Sequence, residues 1–404
     1  MTHILQILSS FIISILIVYY AIPVIVRISI AKHLYDVPNE RKVNKTVIPN
    51  LGGIALFVGI SIGTLIGIFK GSFSDWRYIS SAMIILFFVG IKDDILVISA
   101  SKKLVAQILC ALILTVLGDI RITNFHGILG INEINYALSV SFSLLAIVAI
   151  INSLNLIDGI DGLAASIGIL ASAILGFIFF FSGEISYAVL SFATCGSLLA
   201  FYGYNVYGKK NKIFMGDTGS LILGLVLSVS IIHFSELTPT GNEVLYRVSP
   251  VLALAILSIP IFDMVRIFSM RILHQKSPFS PDMNHIHHKF LKLGLTHRTA
   301  TSIIVISNIF IIGMVYVSRN LNSHLLLLLL ITMVAILMIL PGIIYEYIKS
   351  KNSIAKKIQM RSFFNPVKFI LKIQRETKKT MIYLNDIAIK ANKVKRTSTL
   401  GTGV

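Results

Sequence analysis

Five aspartates stand beside long apolar segments of this 404-residue chain, and their chemistry is the most informative feature of the sequence. They are Asp93, Asp94, Asp158, Asp161 and Asp217. Ionised side chains are costly at membrane depth, so acids in such segments indicate a functional site by default. Carboxylate oxygens are also ligands that Mg²⁺ prefers. The five acids therefore predict a metal-assisted site at a membrane surface.

Asp93 and Asp94 are adjacent, so their carboxylates repel each other unless a cation, a proton or a base offsets the charge. Lys102 and Lys103 follow after a short loop and could supply that charge. On this dipeptide alone, a solvated pair just beyond the membrane edge is an equally good interpretation.

The run from residue 152 to residue 163 combines two amides with two acids. Asn152, Asn155 and Asp158 recur at helical spacing and so share one face of a helix. A glycine next to both Asp158 and Asp161 predicts that the helix breaks there and exposes backbone groups to a ligand. Polar contacts between helices would explain one asparagine well but four such residues poorly.

Asp217 opens an apolar segment within the sequence GDTGS at 216–220. Backbone N–H groups at a helix N-terminus form an anion site, and Asp217 taken alone is well explained as a helix N-cap. Beside two other acidic clusters, a Mg²⁺ ligand is the better interpretation. Another acid, Asp263, stands three residues before Arg266 within an apolar segment, and we interpret that pair as structural.

Two loops contain groups suited to phosphate. The last loop has three histidines in four positions, His285, His287 and His288. No cysteine or outlying acid completes a tetrahedral zinc set, so hydrogen-bond donors to a diphosphate fit better. In the first loop, Arg41 and Lys42 could hold phosphate oxygens, although basic residues that only set topology explain this stretch equally well.

Long apolar segments must position these groups. Hydrophobic residues make up 55% of the chain, charged residues make up 13%, and the mean hydropathy is +0.84. This composition excludes a soluble domain and predicts an all-α, polytopic membrane protein. A membrane-crossing helix needs about 20 apolar residues. About eleven segments qualify, at 4–26, 51–69, 78–91, 103–118, 138–154, 162–182, 185–204, 219–234, 249–273, 299–317 and 324–347.

The basic residues predict the orientation, because Lys and Arg concentrate in cytoplasmic loops. With the N-terminus outside and the C-terminus inside, most of them lie inside, and the five acids fall on the cytoplasmic face. Anionic lipid headgroups then explain the net charge of +18 without a nucleic-acid partner. We predict a transmembrane domain over 1–347 and a basic cytoplasmic tail over 348–404 that lies on membrane lipids.

Four motifs together carry a resemblance to a known family. They are GxxDD at 90–94, NxxNxxDGIDGL at 152–163, GDTGS at 216–220 and HIHH at 285–288. In this order and with these separations, about residues 1–347 resemble the polyprenyl-phosphate N-acetylhexosamine-1-phosphate transferases. The chain looks most like the bacterial branch that transfers GlcNAc-1-phosphate from UDP-GlcNAc to undecaprenyl phosphate.

The resemblance implies a Mg²⁺-dependent enzyme, with Mn²⁺ as the alternative ion, that releases UMP from a UDP-N-acetylhexosamine. It would lie in the bacterial inner membrane and start lipid-linked cell-envelope polysaccharide synthesis; a homodimer is compatible with it. The implied metal ligands are Asp217 and Asn155. The implied catalytic acids are Asp93, Asp94, Asp158 and Asp161. The implied substrate contacts are Arg41, Lys42, Lys103, Asn152, Asn155, His285, His287 and His288.

Two alternatives remain at this point. The sister branch takes UDP-MurNAc-pentapeptide in peptidoglycan synthesis, but its histidine motif is spelled differently. A transporter or flippase of lipid-linked sugars would also need a cationic headgroup site, yet it would not need acids that converge on one face. We see no internal repeat of the kind common in transporters.

Overall fold

A computed structural model describes residues 2–35, 48–68, 73–237, 243–277 and 284–363. These residues form thirteen α-helices and, apart from one bridge between Asn124 and Glu133, no β-structure. The helices are α1 (Thr2–Ala31), α2 (Gly52–Gly67), α3 (Trp76–Leu96), α4 (Ala100–Leu112), α5 (Tyr136–Ile157), α6 (Leu163–Phe181), α7 (Ile185–Tyr207), α8 (Gly216–Ser235), α9 (Glu243–Ile256), α10 (Ser258–Leu273), α11 (Ile286–Lys292), α12 (His297–Val317) and α13 (Ser323–Phe363). A π-helical turn, Ile113–Leu117, continues α4.

Eight helices of the described chain are long and apolar enough to cross a membrane, and a bent pair raises the number to nine if it forms one span. The prediction of an all-α, polytopic membrane protein is therefore confirmed. The helix α2 is apolar but has only 16 residues. The count of eleven spans and the N-out orientation stay predictions.

The predicted segment 249–273 is two helices and not one. The parts Val248–Ile256 and Ser258–Leu273 meet at an angle of 76°. Pro260 has no N–H to donate to the carbonyl of Ile256, so the helical hydrogen bond that would cross the bend cannot form. The buried Asn308 of α12 donates its Nδ2 to that carbonyl at 3.0 Å, and Ser258 Oγ bonds Asn308 Oδ1 at 3.0 Å. Another helix thus satisfies the group that the proline leaves free.

The helix α8 is the core of the bundle and is buried over nearly all its length. Two glycines let α2 and α3 lie directly against its first turn. A Cβ added to Gly53 would lie 2.2 Å from the Gly219 nitrogen, and one added to Gly90 would lie 2.4 Å from the Thr218 Cα. Real side chains do not approach so closely, so this packing requires glycine at both positions.

At the other end of α8, a carboxylate holds the loop that precedes α5. Glu236 accepts hydrogen bonds from Thr123 N at 2.8 Å and Asn124 N at 3.5 Å, and the Thr123 hydroxyl also donates to it. Nearby, Tyr187 donates its hydroxyl to Asp75 at 2.6 Å. These contacts tie the loop and the start of α7 to their neighbours, far along α8 from Asp217.

The chain up to Pro341 is one compact unit. A second unit begins at Gly342, and its described part is the end of α13. The predicted division between a transmembrane domain and a basic tail at residues 347 and 348 stays a prediction.

Candidate active site

Asp94, at the end of α3, accepts the first free N–H groups of α8. Its Oδ1 bonds Asp217 N at 2.7 Å, and its Oδ2 bonds Thr218 N at 3.1 Å and Thr218 Oγ1 at 2.5 Å. A helix leaves its first N–H groups without intrahelical partners, and a carboxylate there also opposes the positive end of the helix dipole. The capping acid is therefore Asp94 and not Asp217, whose own side chain remains available for other contacts.

Asp217 and Asp93 share one lysine. Lys103 Nζ lies 2.6 Å from Asp93 Oδ2 and 3.4 Å from Asp217 Oδ2. Asp93 also accepts Ile98 N at 2.6 Å and exposes only 3% of its side chain, whereas Asp217 exposes 29%. Lys103 thus supplies the cation that the adjacent acids were predicted to need, and Asp217 is the more accessible carboxylate of this pair.

The two asparagines of the second motif have different surroundings. Asn155 donates its Nδ2 to Asp217 Oδ1 and, at 2.8 Å, to Ser220 Oγ. Asn152 forms a reciprocal amide pair with Gln107 of α4, at 2.7 and 3.4 Å. Asn155 therefore belongs to the acid cluster, while the amide of Asn152 is engaged in helix pairing. Our sequence reasoning missed Gln107, although a glutamine in an apolar segment is itself a signal.

The helix breaks at the position that the two glycines indicated. The helix α5 ends at Ile157, and α6 begins at Leu163. Gly162 has a φ of +79°, which glycine adopts without strain. Its N–H donates to Asn205 Oδ1 at 2.6 Å, and Asn205 Nδ2 donates to the Ile213 carbonyl at 2.9 Å. The buried Asn205, which sequence reasoning did not single out, therefore fixes the turn that holds both acids.

Asp158 and Asp161 lie in this turn but have unlike environments. Within the described residues no donor bonds the Asp158 carboxylate, and burial raises the pKa of Asp158 to about 7, helped by the nearby acids. Asp161 faces Lys212 Nζ at 2.7 Å and His297 Nδ1 at 3.5 Å. Burial would raise the pKa of Asp161, but the hydrogen bonds from His297 and Lys212 outweigh it and lower the pKa below its usual value.

The histidine loop, by which we mean residues 285–288, lies against the same turn, and its last three residues begin α11. A Cβ on Gly159 would lie 2.2 Å from His287 Nε2, so the two motifs are in direct contact. The His287 ring is parallel to that of His285, with centroids 5.7 Å apart, and lies 4.3 Å from that of His288. His287 is 1% exposed, and within the described residues neither of its ring nitrogens forms a hydrogen bond. Burial, together with the neighbouring histidines, lowers the pKa of His287 to about 3. His287 is therefore neutral at pH 7.

In the part of the chain that the structure describes, no three His, Cys, Asp or Glu side chains are placed to hold a metal ion together. A smaller group of polar side chains is present. The Asn155 amide nitrogen donates to the Asp217 carboxylate, so these two side chains, each of which bears an oxygen, are in direct contact. Hard oxygen donors of this kind suit Mg²⁺, which normally completes its shell with water and substrate oxygens.

The predicted phosphate contacts of the first loop, Arg41 and Lys42, lie outside the described residues.

Comparison with known proteins finds one matching family and several relatives that share a name. Residues 76–235 match the family described as glycosyl transferase family 4. The chain is 31% identical over 323 residues to the undecaprenyl-phosphate alpha-N-acetylglucosaminyl 1-phosphate transferase of Salmonella typhi, which covers 78% of this chain and 83% of that protein. The protein of that name from Escherichia coli (strain K12) is 30% identical over 283 residues, or 68% of this chain and 73% of that protein.

A relative from a different bacterium covers more of the chain. The probable undecaprenyl-phosphate N-acetylglucosaminyl 1-phosphate transferase of Bacillus subtilis (strain 168) is 31% identical over 369 residues. This match spans 89% of the present chain and 98% of that protein. These matches confirm the resemblance carried by the four motifs, and the chain belongs to glycosyl transferase family 4.

Proposed function

We propose that this protein transfers GlcNAc-1-phosphate from UDP-GlcNAc to undecaprenyl phosphate and releases UMP. The relatives' names support this reaction. The observation that carries it is the convergence of Asp217, Asn155, Lys103 and Asp93 at the first turn of α8. Both reactants bear phosphates that repel each other, so a site with a metal-binding carboxylate and a cation is what the reaction needs.

The roles of the residues follow from their contacts. Asp217 and Asn155 would hold Mg²⁺, or alternatively Mn²⁺, which when bound neutralises negative charge on the transferred phosphate. Lys103 holds the carboxylates of Asp93 and Asp217 in place and presents a positive charge to phosphate oxygens. Asp158, which has no hydrogen-bond donor within the described part of the chain, faces the same cluster. The lipid phosphate is the nucleophile, and it attacks the β-phosphorus of the UDP-sugar.

The location of the site suits a lipid substrate. The acids lie where α3 and α5 end and α8 begins, so a polyprenyl chain can lie between helices while its phosphate reaches the cluster. We place this end on the cytoplasmic side of a bacterial inner membrane, because the basic loops favour that orientation. The product would start a lipid-linked cell-envelope polysaccharide, and the basic sequence after residue 348 would lie on anionic lipid.

The test is a release assay with detergent-solubilised protein, undecaprenyl phosphate, Mg²⁺ and a panel of UDP-sugars that includes UDP-MurNAc-pentapeptide. We expect UMP only when lipid phosphate and metal are both present, with UDP-GlcNAc as the preferred donor, and no UMP after chelation. UMP from the pentapeptide donor would assign the protein to peptidoglycan synthesis. No UMP with any donor would contradict transfer and favour a transporter.

A further inference from the structure

A buried acid and an arginine of α10 hold three consecutive residues at the start of α11. Asp263, whose side chain is 3% exposed, accepts Ile286 N at 3.1 Å and faces His285 Nδ1 at 2.9 Å. Arg266 Nη2 bonds both Asp263 Oδ1 and the Asn284 carbonyl at 2.6 Å. The pair was predicted as structural, and it does form, but it also reaches the histidine loop.

The contact with Asp263 determines how His285 can act. A carboxylate only accepts hydrogen bonds, so the hydrogen that joins the two residues is on Nδ1. Nε2 is then the nitrogen left for a ligand, and no residue in the described part of the chain bonds it. A histidine that meets a carboxylate through one nitrogen has a fixed ring orientation, as second-shell acids fix metal-binding histidines.

The surroundings of His285 direct it toward the acid cluster. Its ring is parallel to that of His287, with an angle of 3° between the planes, and His287 in turn lies on Gly159. Gly159 directly follows Asp158. The histidine loop is thus packed against the turn that contains the acids, next to the place where the diphosphate of a nucleotide sugar would lie.

We propose that Asp263 is a positioning residue that orients His285 so that its Nε2 meets the diphosphate of the nucleotide sugar. The inference rests on the proposed function and adds a residue that the four motifs do not contain. In this role Asp263 acts only through His285. A purely structural Asp263 would instead hold the start of α11 and affect both substrates alike.

The experiment is a double-mutant cycle on the full-length protein with Asp263→Asn, His285→Gln and both together. We expect each single variant to raise KM for UDP-GlcNAc by at least about tenfold, the loss typical of one charge-assisted hydrogen bond. We expect the double variant to stay within about twofold of His285→Gln, because residues that act as one unit are not additive. KM for undecaprenyl phosphate should change by less than about twofold, the scatter of independent effects.

A matched control separates orientation of His285 from attachment of α11. Arg266→Gln removes the bonds to the Asn284 carbonyl and to Asp263 Oδ1, and it leaves Asp263 Oδ2 facing His285 Nδ1. It should raise KM for UDP-GlcNAc by clearly less than Asp263→Asn does, because the carboxylate that orients His285 is kept. If Arg266→Gln equals Asp263→Asn, attachment alone explains the effect and the proposal is wrong.

Other outcomes would distinguish failure of the role of Asp263 from failure of the proposed function. Independent, multiplying effects in the cycle, or an unchanged KM for UDP-GlcNAc in Asp263→Asn, would overturn the role of Asp263 while the wild-type reaction stands. Wild-type protein that releases no UMP would instead overturn the proposed function. If Asp263→Asn does not fold in detergent, Asp263→Glu keeps the charge and takes its place in the cycle, with the same non-additivity expected.

Discussion

The two ends of α8 are held by the same kind of bond and yet present different chemistry. At the first turn, Asp94 accepts two backbone N–H groups of α8. Beyond the last turn, Glu236 accepts two backbone N–H groups of the loop before α5. At the first turn a second carboxylate, that of Asp217, is partly exposed beside the capping acid.

The two ends of α8 differ in whether each further acid nearby has its own hydrogen-bond or ion-pair partner. At the far end, Asp75 accepts the Tyr187 hydroxyl and Glu184 faces His233 at 3.3 Å, so each acid has its own partner. At the first turn five acids converge, and the basic side chains of the described residues that contact them are Lys103, Lys212 and His297. Excess negative charge is costly unless a ligand offsets it. The first turn of α8 is therefore suited to binding a cation and phosphate groups. Substitutions at the first turn of α8 should therefore lower activity, whereas substitutions beyond its last turn should lower only stability.

The largest effect is expected for Asp217→Asn. The variant retains the shape of the side chain but loses the negative charge that would hold a metal ion, so UMP release should fall by at least about a hundredfold. Its melting temperature in detergent should stay close to that of the wild type, since the capping bonds belong to Asp94. Wild-type turnover by this variant would contradict the metal assignment.

Asp94→Asn should lower both stability and activity. An amide can accept only through its single oxygen, so at least one N–H or hydroxyl bond at the start of α8 is lost, which costs about 1–2 kcal/mol. Thermal unfolding in detergent measures that loss, and UMP release measures the displacement of Asp217. Lost activity with an unchanged melting temperature would assign Asp94 to the chemistry and not to capping.

Glu236→Ala tests the opposite end. It leaves Thr123 N and Asn124 N without their acceptor and should lower the free energy of unfolding by about 1–3 kcal/mol. The KM values for both substrates should stay at wild-type levels when measured below the melting transition. A selective loss of turnover in a stable variant would show that the far end influences the site.

The smallest effect is expected for Tyr187→Phe. The change removes one hydroxyl bond to Asp75 and retains the ring that stacks on His233 at 3.6 Å, so the loss should be about 1 kcal/mol. UMP release should be unchanged. A drop in turnover as large as that of Asp94→Asn would break the proposed separation between the ends.

The site was predictable where chemistry and spacing appear together in the sequence. The acids of three motifs, the helix break at 158–162 and the neutralising role of Lys103 all follow from residues close in sequence. The contacts of Gln107, Asn205 and Asp263 join residues distant along the chain, so neither spacing nor hydropathy shows them. Their types did give a signal, because polar side chains within apolar segments require partners.

The fold was predictable to a similar extent. Hydropathy alone located the long apolar helices of the described residues, since apolar length is what a membrane requires. It did not register the bend before Pro260, because a single proline scarcely changes an average over twenty residues, although it removes one backbone donor. The partner of the freed carbonyl is Asn308 of another helix, a contact between residues distant along the chain that hydropathy does not show.

The glycines of α2 and α3 have a consequence for protein engineering. Replacing a helical glycine with alanine commonly stabilises a protein by about 0.4–1 kcal/mol, and such changes are routine when membrane enzymes are made robust enough for crystallisation or screening. At Gly53 and Gly90 the added methyl group would meet the backbone of α8 at 2.2 and 2.4 Å. A thermostabilisation campaign should leave these two positions untouched, because alanine there would displace the turn that bears Asp217.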